Sequence, residues 1–193
     1  MPPSPLRPAV FLDRDGVIIE NRADYVKSIA EVRFLPGALE ALARLARRDY
    51  LIVIATNQSA IGRGLLAREA ADAINAHVLG RIVAAGGRVD GLYVCPHRPE
   101  DGCPCRKPAP GMLLDAARDL GIDLASSVMI GDALTDVQAA RAAGVRPILV
   151  LTGLGEVQAL AQAQLDHILA VPDLAAALER LSGEAQPTKT PPG

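Results

Sequence analysis

Four groups of side chains follow one another in an order suited to handling a phosphoryl group: Asp13-Arg14-Asp15-Gly16, then Thr56-Asn57, then Lys107, then Gly131-Asp132 with Asp136. A carboxylate can attack phosphorus to give an aspartyl-phosphate, which divides hydrolysis into two easier steps. A second carboxyl can protonate the leaving alcohol and then activate water. Asp13 and Asp15 are two residues apart, and in an extended chain such residues face the same side. Crowding Asp13, Asp15, Asp132 and Asp136 together is repulsive without a cation. Hard oxygen donors beside phosphate point to Mg2+, which keeps several waters and takes few protein ligands. Such an ion offsets the repulsion and neutralises phosphoryl oxygens. Thr56 and Asn57 can donate hydrogen bonds to those oxygens, and Lys107 supplies positive charge. Lysine is scarce, three residues against seventeen arginines, so Lys107 stands out. Taken singly, each group has an ordinary reading as a turn, a helix cap or a solvated lysine. The order is what gives them force.

All three cysteines lie within the eleven residues from Cys95 to Cys105, together with a histidine. Cys95, His97, Cys103 and Cys105 form a Cys3His set that suits tetrahedral Zn2+, and four protein ligands leave no open position, so the ion would be structural. A redox pair at Cys103 and Cys105, or a plain surface loop, are the alternatives. Arg106 and Lys107 follow Cys105 directly, so a metal there would pin the loop delivering both cations. His77 and His167 are expected to be structural or exposed.

These groups need a frame that brings them to one place. All but Lys107 directly follow short apolar runs, over 9–12, 51–55 and 128–130, that read as strands. Further strands are expected over 89–94, 147–151 and 167–169. Helices are expected over 37–48, 67–85, 110–120, 135–143, 156–162 and 172–181. Pro36 opens the first of these, and glycines end several others. This alternation predicts an α/β fold, a doubly wound, Rossmann-like parallel sheet with a zinc-binding loop insertion. In such a sheet, ligands bind in the crevice at the carboxyl edge. One domain is expected over 1–182, with a disordered tail over 183–193 and no separate cap domain.

The chain has 193 residues, half of them hydrophobic, and a net charge of −2 with its basic residues scattered. A basic face for nucleic acid or an anionic membrane is not expected. No apolar stretch approaches a membrane span, and residues 1–8 lack a signal-peptide core, so a cytoplasmic location and a monomer are expected.

The motifs Phe11-Leu12-Asp13-Arg14-Asp15-Gly16, Ala55-Thr56-Asn57-Gln58, Arg106-Lys107-Pro108 and Ile130-Gly131-Asp132-Ala133-Leu134-Thr135-Asp136 resemble those of the haloacid dehalogenase superfamily. The resemblance runs over about residues 9–152. It implies Asp13 as nucleophile and Asp15 as general acid/base. It also implies that Asp132 binds Mg2+ with the Asp13 carboxylate and the Asp15 carbonyl. Thr56 and Lys107 would hold the phosphoryl group, with Asn57 and Gln58 among the substrate contacts. Asp136 would support Lys107 or a metal-bound water.

The zinc loop, with Asp24-Tyr25-Val26, Phe34-Leu35-Pro36-Gly37 and Arg63-Gly64, is similar to one branch of that superfamily. The branch holds the D-glycero-D-manno-heptose 1,7-bisphosphate 7-phosphatases and the related histidinol-phosphate phosphatases. The heptose side is favoured, which implies removal of a C7 phosphate during synthesis of activated heptose. Arg63 and Arg106 could grip a second phosphate bidentately, and would repel the amine of histidinol phosphate; both could equally be surface residues. The loop between His97 and Cys103 is shorter than in many heptose-type relatives, and residues 20–24 carry more charge. Outside this enzyme class, a phospho-acceptor receiver domain would not need the zinc loop or Asp15. A zinc-based nucleic-acid module would need a basic face.

Overall fold

Val10, Leu12, Ile52, Ile54, Val128 and Ile130 pack into one core cluster, while Ala9, Phe11, Val53 and Met129 pack into another. Alternate residues of the same strands therefore feed opposite faces, as a sheet covered on both sides requires. A computed structural model describes residues 5–153 and 167–183. Its strands are β1 Ala9–Leu12, β2 Leu51–Asn57, β3 Gly91–Cys95, β4 Val128–Gly131, β5 Arg146–Val150 and β6 Leu169–Val171. All pair in parallel, in the order β3-β2-β1-β4-β5-β6. The order reverses beside β1, between β2 and β4. That reversal leaves a crevice above the carboxyl ends of β1 and β4.

The helices are α1 Ala38–Leu45, α2 Ser59–Gly62, α3 Arg68–Ala84, α4 Gly111–Leu120, α5 Leu134–Ala142 and α6 Leu174–Gly183. α1, α3 and α6 bury Leu42, Ile74, Val78, Ile82 and Leu178 against the first face. α4 buries Met112, Leu113 and Ala116, and α5 buries Ala140, on the other. Each large aliphatic side chain removed from water in this way stabilises the fold by about 1.5–3 kcal/mol.

The expected fold class is the one observed. The strand expected over 167–169 lies two residues later, because His167 adopts a positive φ of 53° in the turn before it. α1 stops at Leu45 rather than 48, giving way to a turn. The short α2 and the 3-10 turns Ile29–Glu31 and Pro99–Asp101 were not anticipated, being too brief for periodicity to reveal. The helix expected over 156–162 and residues 184–193 lie outside the described residues. α6 extends to Gly183, the first residue of the expected tail.

Between β1 and α1 the chain forms a small flap over the carboxyl edge. Ile18 and Ile19 N–H groups donate to the Arg14 carbonyl, and Gly16 N–H donates to Ile19. Ile19 then pairs antiparallel with Phe34. Among the described residues no insertion is large enough to make a cap domain, and no helix is long and apolar enough to cross a membrane.

Leu42 is fully buried, whereas Val83 on α3 is 62% exposed. Leu42→Ala is therefore expected to lower unfolding free energy by about 2–5 kcal/mol in urea titration. Val83→Ala should change it by no more than about 0.5 kcal/mol.

Candidate active site and thiol cluster

Asp13 follows the last residue of β1, where its N–H still donates to Ile130 of β4 at 3.0 Å. Its Oδ1 accepts the Arg14 backbone N–H at 2.7 Å, and its Oδ2 lies 3.0 Å from Lys107 Nζ. Lys107 is 1% exposed; it also lies 2.5 Å from Asp136 Oδ1 and donates to the Ala55 carbonyl at 2.8 Å. Burial alone would depress this lysine, but Asp13 and Asp136 together raise its pKa above the usual lysine range, so the ammonium stays charged. Asp136 Oδ2 accepts the Ala133 N–H at 3.1 Å, capping α5 while its other oxygen faces Lys107.

Asp132 lies at the end of β4, and carboxylate oxygens of Asp13, Asp132 and Asp136 fall within 4.8 Å of one another. Burial, then the charges of Asp13 and Asp136, push Asp132 up to about 8 against the pull of Lys107. One lysine does not offset three carboxylates. A further cation with hard oxygen preference fits this excess negative charge, and the residues present suit Mg2+. Gly16 has φ 84°, and a Cβ there would collide with the Asp132 carboxylate, so glycine lets the flap close on this group.

Asp15 is not part of that trio. Its Oδ2 accepts Gln58 Nε2 at 2.8 Å and lies 2.9 Å from Arg14 Nη2. Burial, reinforced by Asp13, raises its pKa, while Arg14 and Gln58 pull it back. A carboxyl held up in this way is suited to carry a proton. Thr56, at the end of β2 and 1% exposed, accepts the other Gln58 hydrogen bond at 3.0 Å. Its own hydroxyl proton is left to donate.

Several residues expected among the substrate contacts also make contacts within the protein. Asn57 was expected to face substrate, but its amide brackets the Lys107 backbone, donating to the carbonyl at 3.0 Å and accepting the N–H at 3.1 Å. Gln58 was expected to do the same, but its amide nitrogen is engaged by Asp15 and Thr56. Both side chains are thus tied to neighbouring residues of the site. Arg63 is exposed and pairs with Glu100 of the cysteine loop at 3.5 Å. Arg106 Nη1 donates to the His97 carbonyl at 3.1 Å, which ties it to that same loop. In the flap, Asp24 pairs with Arg22 and Lys27, so the extra charge of residues 20–24 is largely internal. Asn21 reaches Asp132 at 3.4 Å. Asn21, Thr152, whose hydroxyl donates to the Gly16 carbonyl, and the Arg14 side chain were not singled out from sequence. The Asp-Arg-Asp spacing was the one available signal for Arg14.

The three cysteines are free thiols, gathered with His97 Nδ1. Their separations run from 3.2 Å between Cys103 and Cys105 to 3.6 Å between Cys95 and Cys103. Cys105 lies 3.3 Å from both Cys95 and His97 Nδ1. Donors about 2.0–2.3 Å from a common centre would stand about 3.3–3.8 Å apart in a tetrahedron. The set therefore closely matches the shell of a zinc ion. Burial, then the adjacent thiols, push Cys105 up to about 12, and burial raises Cys95. A bound cation would reverse that, since coordinated thiols lose their protons. Cys95 ends β3, so the cluster is anchored to the sheet at one end and to Lys107 at the other.

A family model described as HAD-hydrolase-like matches residues 104–177. The chain is 46% identical to a D-glycero-beta-D-manno-heptose-1,7-bisphosphate 7-phosphatase of Bordetella bronchiseptica, over 91% of this chain and 98% of that protein. It is 40% identical to the protein of the same name from Pseudomonas aeruginosa, again over 91% and 98%. A crystal structure of the D,D-heptose 1,7-bisphosphate phosphatase from B. bronchiseptica, complexed with magnesium and phosphate, superposes with a TM-score of 0.86. The two are 45% identical, over 92% of this chain and 99% of that one. The corresponding structure from Burkholderia thailandensis gives 0.71 at 36% identity, covering 92% of this chain and 100% of that one.

If the thiol cluster holds zinc, the purified chain should contain close to one equivalent by atomic emission. Cys105→Ser should lose most of it and melt at a lower temperature, because binding free energy at such sites is folding free energy. Full zinc content in Cys105→Ser would remove Cys105 from the ligand set.

Proposed function

Because this chain belongs to the haloacid dehalogenase superfamily, and within it to the heptose bisphosphate phosphatases, it is a phosphoric monoester hydrolase, and we propose that it removes the C7 phosphate of D-glycero-D-manno-heptose 1,7-bisphosphate. The observation that carries the substrate is the identity to the Bordetella protein across nearly its whole length.

Asp13 is the nucleophile in this reading. Two hydrogen-bonding partners hold its carboxylate, Arg14 N–H on one oxygen and Lys107 on the other. It attacks phosphorus, the bond from phosphorus to the C7 oxygen breaks, and Asp13 carries the phosphoryl group. Asp15 gives its proton to the departing oxygen, then takes one from the water that attacks the phosphoaspartate. Phosphate leaves and Asp13 is regenerated. Thr56 donates its hydroxyl proton to a phosphoryl oxygen, and Lys107 stabilises the negative charge that develops.

The Asp13 and Asp132 carboxylates, with the Asp15 carbonyl, would hold Mg2+, which when bound neutralises the phosphoryl oxygens. Asp136 keeps Lys107 in place. Cys95, His97, Cys103 and Cys105 would hold a structural Zn2+ that stiffens the loop carrying Arg106 and Lys107. Arg106 takes the second phosphate of the substrate. Its single hydrogen bond to His97 leaves other donors for a bidentate grip. Arg63 pairs with Glu100 in an exposed contact worth at most about 1 kcal/mol, so it can be recruited but is not prepared for that task.

Mg2+-dependent phosphate release should favour the heptose bisphosphate over histidinol phosphate by at least about a hundredfold in kcat/KM. Asp13→Asn should lower kcat by at least about a thousandfold with both. Preference for histidinol phosphate would overturn the substrate while leaving the chemistry, and an active Asp13→Asn would overturn the chemistry.

A further inference from the structure

Arg14 is an arginine with 2% exposure, and no step of the reaction above uses its side chain. Removing a guanidinium from water is costly unless its donors are satisfied. Here they are aimed at two residues. Nε donates to Asp15 Oδ2 at 3.1 Å, and Nη2 donates to Asp15 Oδ1 at 3.2 Å. Nη1 donates to Asn75 Oδ1 at 2.6 Å.

Neighbouring side chains on a strand point to opposite faces. Arg14 can fold back onto Asp15 because the chain has already left β1 and begun its turn, closed by Ile18 and Ile19 on the Arg14 carbonyl. Asn75 is the less expected partner. It is 4% exposed in the middle of α3, between the buried Ile74 and Val78. An amide there weakens an apolar helix face. Its Nδ2 has no hydrogen-bond partner, so the contact to Arg14 is what its side chain contributes.

We propose that Arg14, anchored by Asn75, is a positioning residue that fixes the Asp15 carboxyl against the leaving-group oxygen. This rests on Asp15 being the acid/base, as read above. Asp15 Oδ2 is engaged by both Arg14 and Gln58, whereas Oδ1 has one longer contact. Oδ1 is therefore the oxygen left to hold the transferable proton. The same residue orients Asp13 through its backbone N–H, so Arg14 sets the relation between nucleophile and acid. A lysine could supply the charge but not the planar fork that reaches two carboxylate oxygens and an amide.

The test compares leaving groups. kcat/KM covers steps up to departure of the leaving group, and phenyl phosphate needs a proton there far more than p-nitrophenyl phosphate does. Asn75→Leu removes the anchor and is expected to raise the kcat/KM ratio of p-nitrophenyl to phenyl phosphate about tenfold. Asn75→Asp, which keeps the acceptor oxygen, should hold that ratio within about twofold of the starting protein. Arg14→Lys should move it in the same direction as Asn75→Leu, which serves if the latter fails to fold. Asp15→Asn is the control. If it shifts the ratio while Asn75→Leu and Arg14→Lys do not, this inference is wrong and the acid/base reading stands. If Asp15→Asn leaves the ratio unmoved, the acid/base reading itself fails. Equal losses with both substrates in Asn75→Leu would mean that Asn75 serves the fold alone.

Discussion

The Lys107 ammonium is buried between Asp13 Oδ2 and Asp136 Oδ1, at 3.0 Å and 2.5 Å, and it also caps the open end of the Ala55 carbonyl. A lone ammonium at that depth would lose several kcal/mol of hydration, and breaking such a pair typically costs about 3–5 kcal/mol. The three elements that supply its partners, the end of β1, the start of α5 and the end of β2, are thereby held in register around one point. The backbone of Lys107 is bracketed in turn by Asn57, and two residues earlier the chain enters the thiol cluster at Cys105. Disturbing the cysteine loop would therefore be felt at Asp13 through Lys107.

The electrostatics of the crevice follow from the same arrangement. Lys107 compensates only part of the charge of Asp13, Asp132 and Asp136, and burial, then the charges of Asp13 and Asp136, push the Asp132 carboxyl up to about 8. Asp15 has its own cation, Arg14. Two carboxylates two residues apart thus have unlike environments, one facing an ammonium and the carboxylate trio, the other a guanidinium and an amide. Such a division suits one to attack and the other to move protons.

The sheet, its strand ends and the donor sets were legible because each depends on local pattern. Apolar runs ending in Asp13, Thr56 and Asp132 announce the carboxyl edge, and the cysteines gathered beside His97 announce the cluster that the fold brings together. What depended on tertiary packing was not legible. Whether Asn57 and Gln58 point to substrate or to Lys107, Asp15 and Thr56 depends on how the chain turns after β2. Arg63 met Glu100 because two loops pack together, a contact no periodicity encodes. Asn75 lies 61 residues from Arg14, so a helix read for its apolar stripe gave no reason to connect them.

If Lys107 holds Asp13 as the group that accepts the phosphoryl, the phosphoryl must pass through that side chain. Rapid acid quench of a single turnover with radiolabelled phosphate ester tests it most directly. The expected result is a transient, hydroxylamine-labile label on the peptide containing Asp13, with a much smaller amplitude in Lys107→Met. Release of phosphate in that first turnover with no label on the protein at any time, or with the label on another residue, would contradict it.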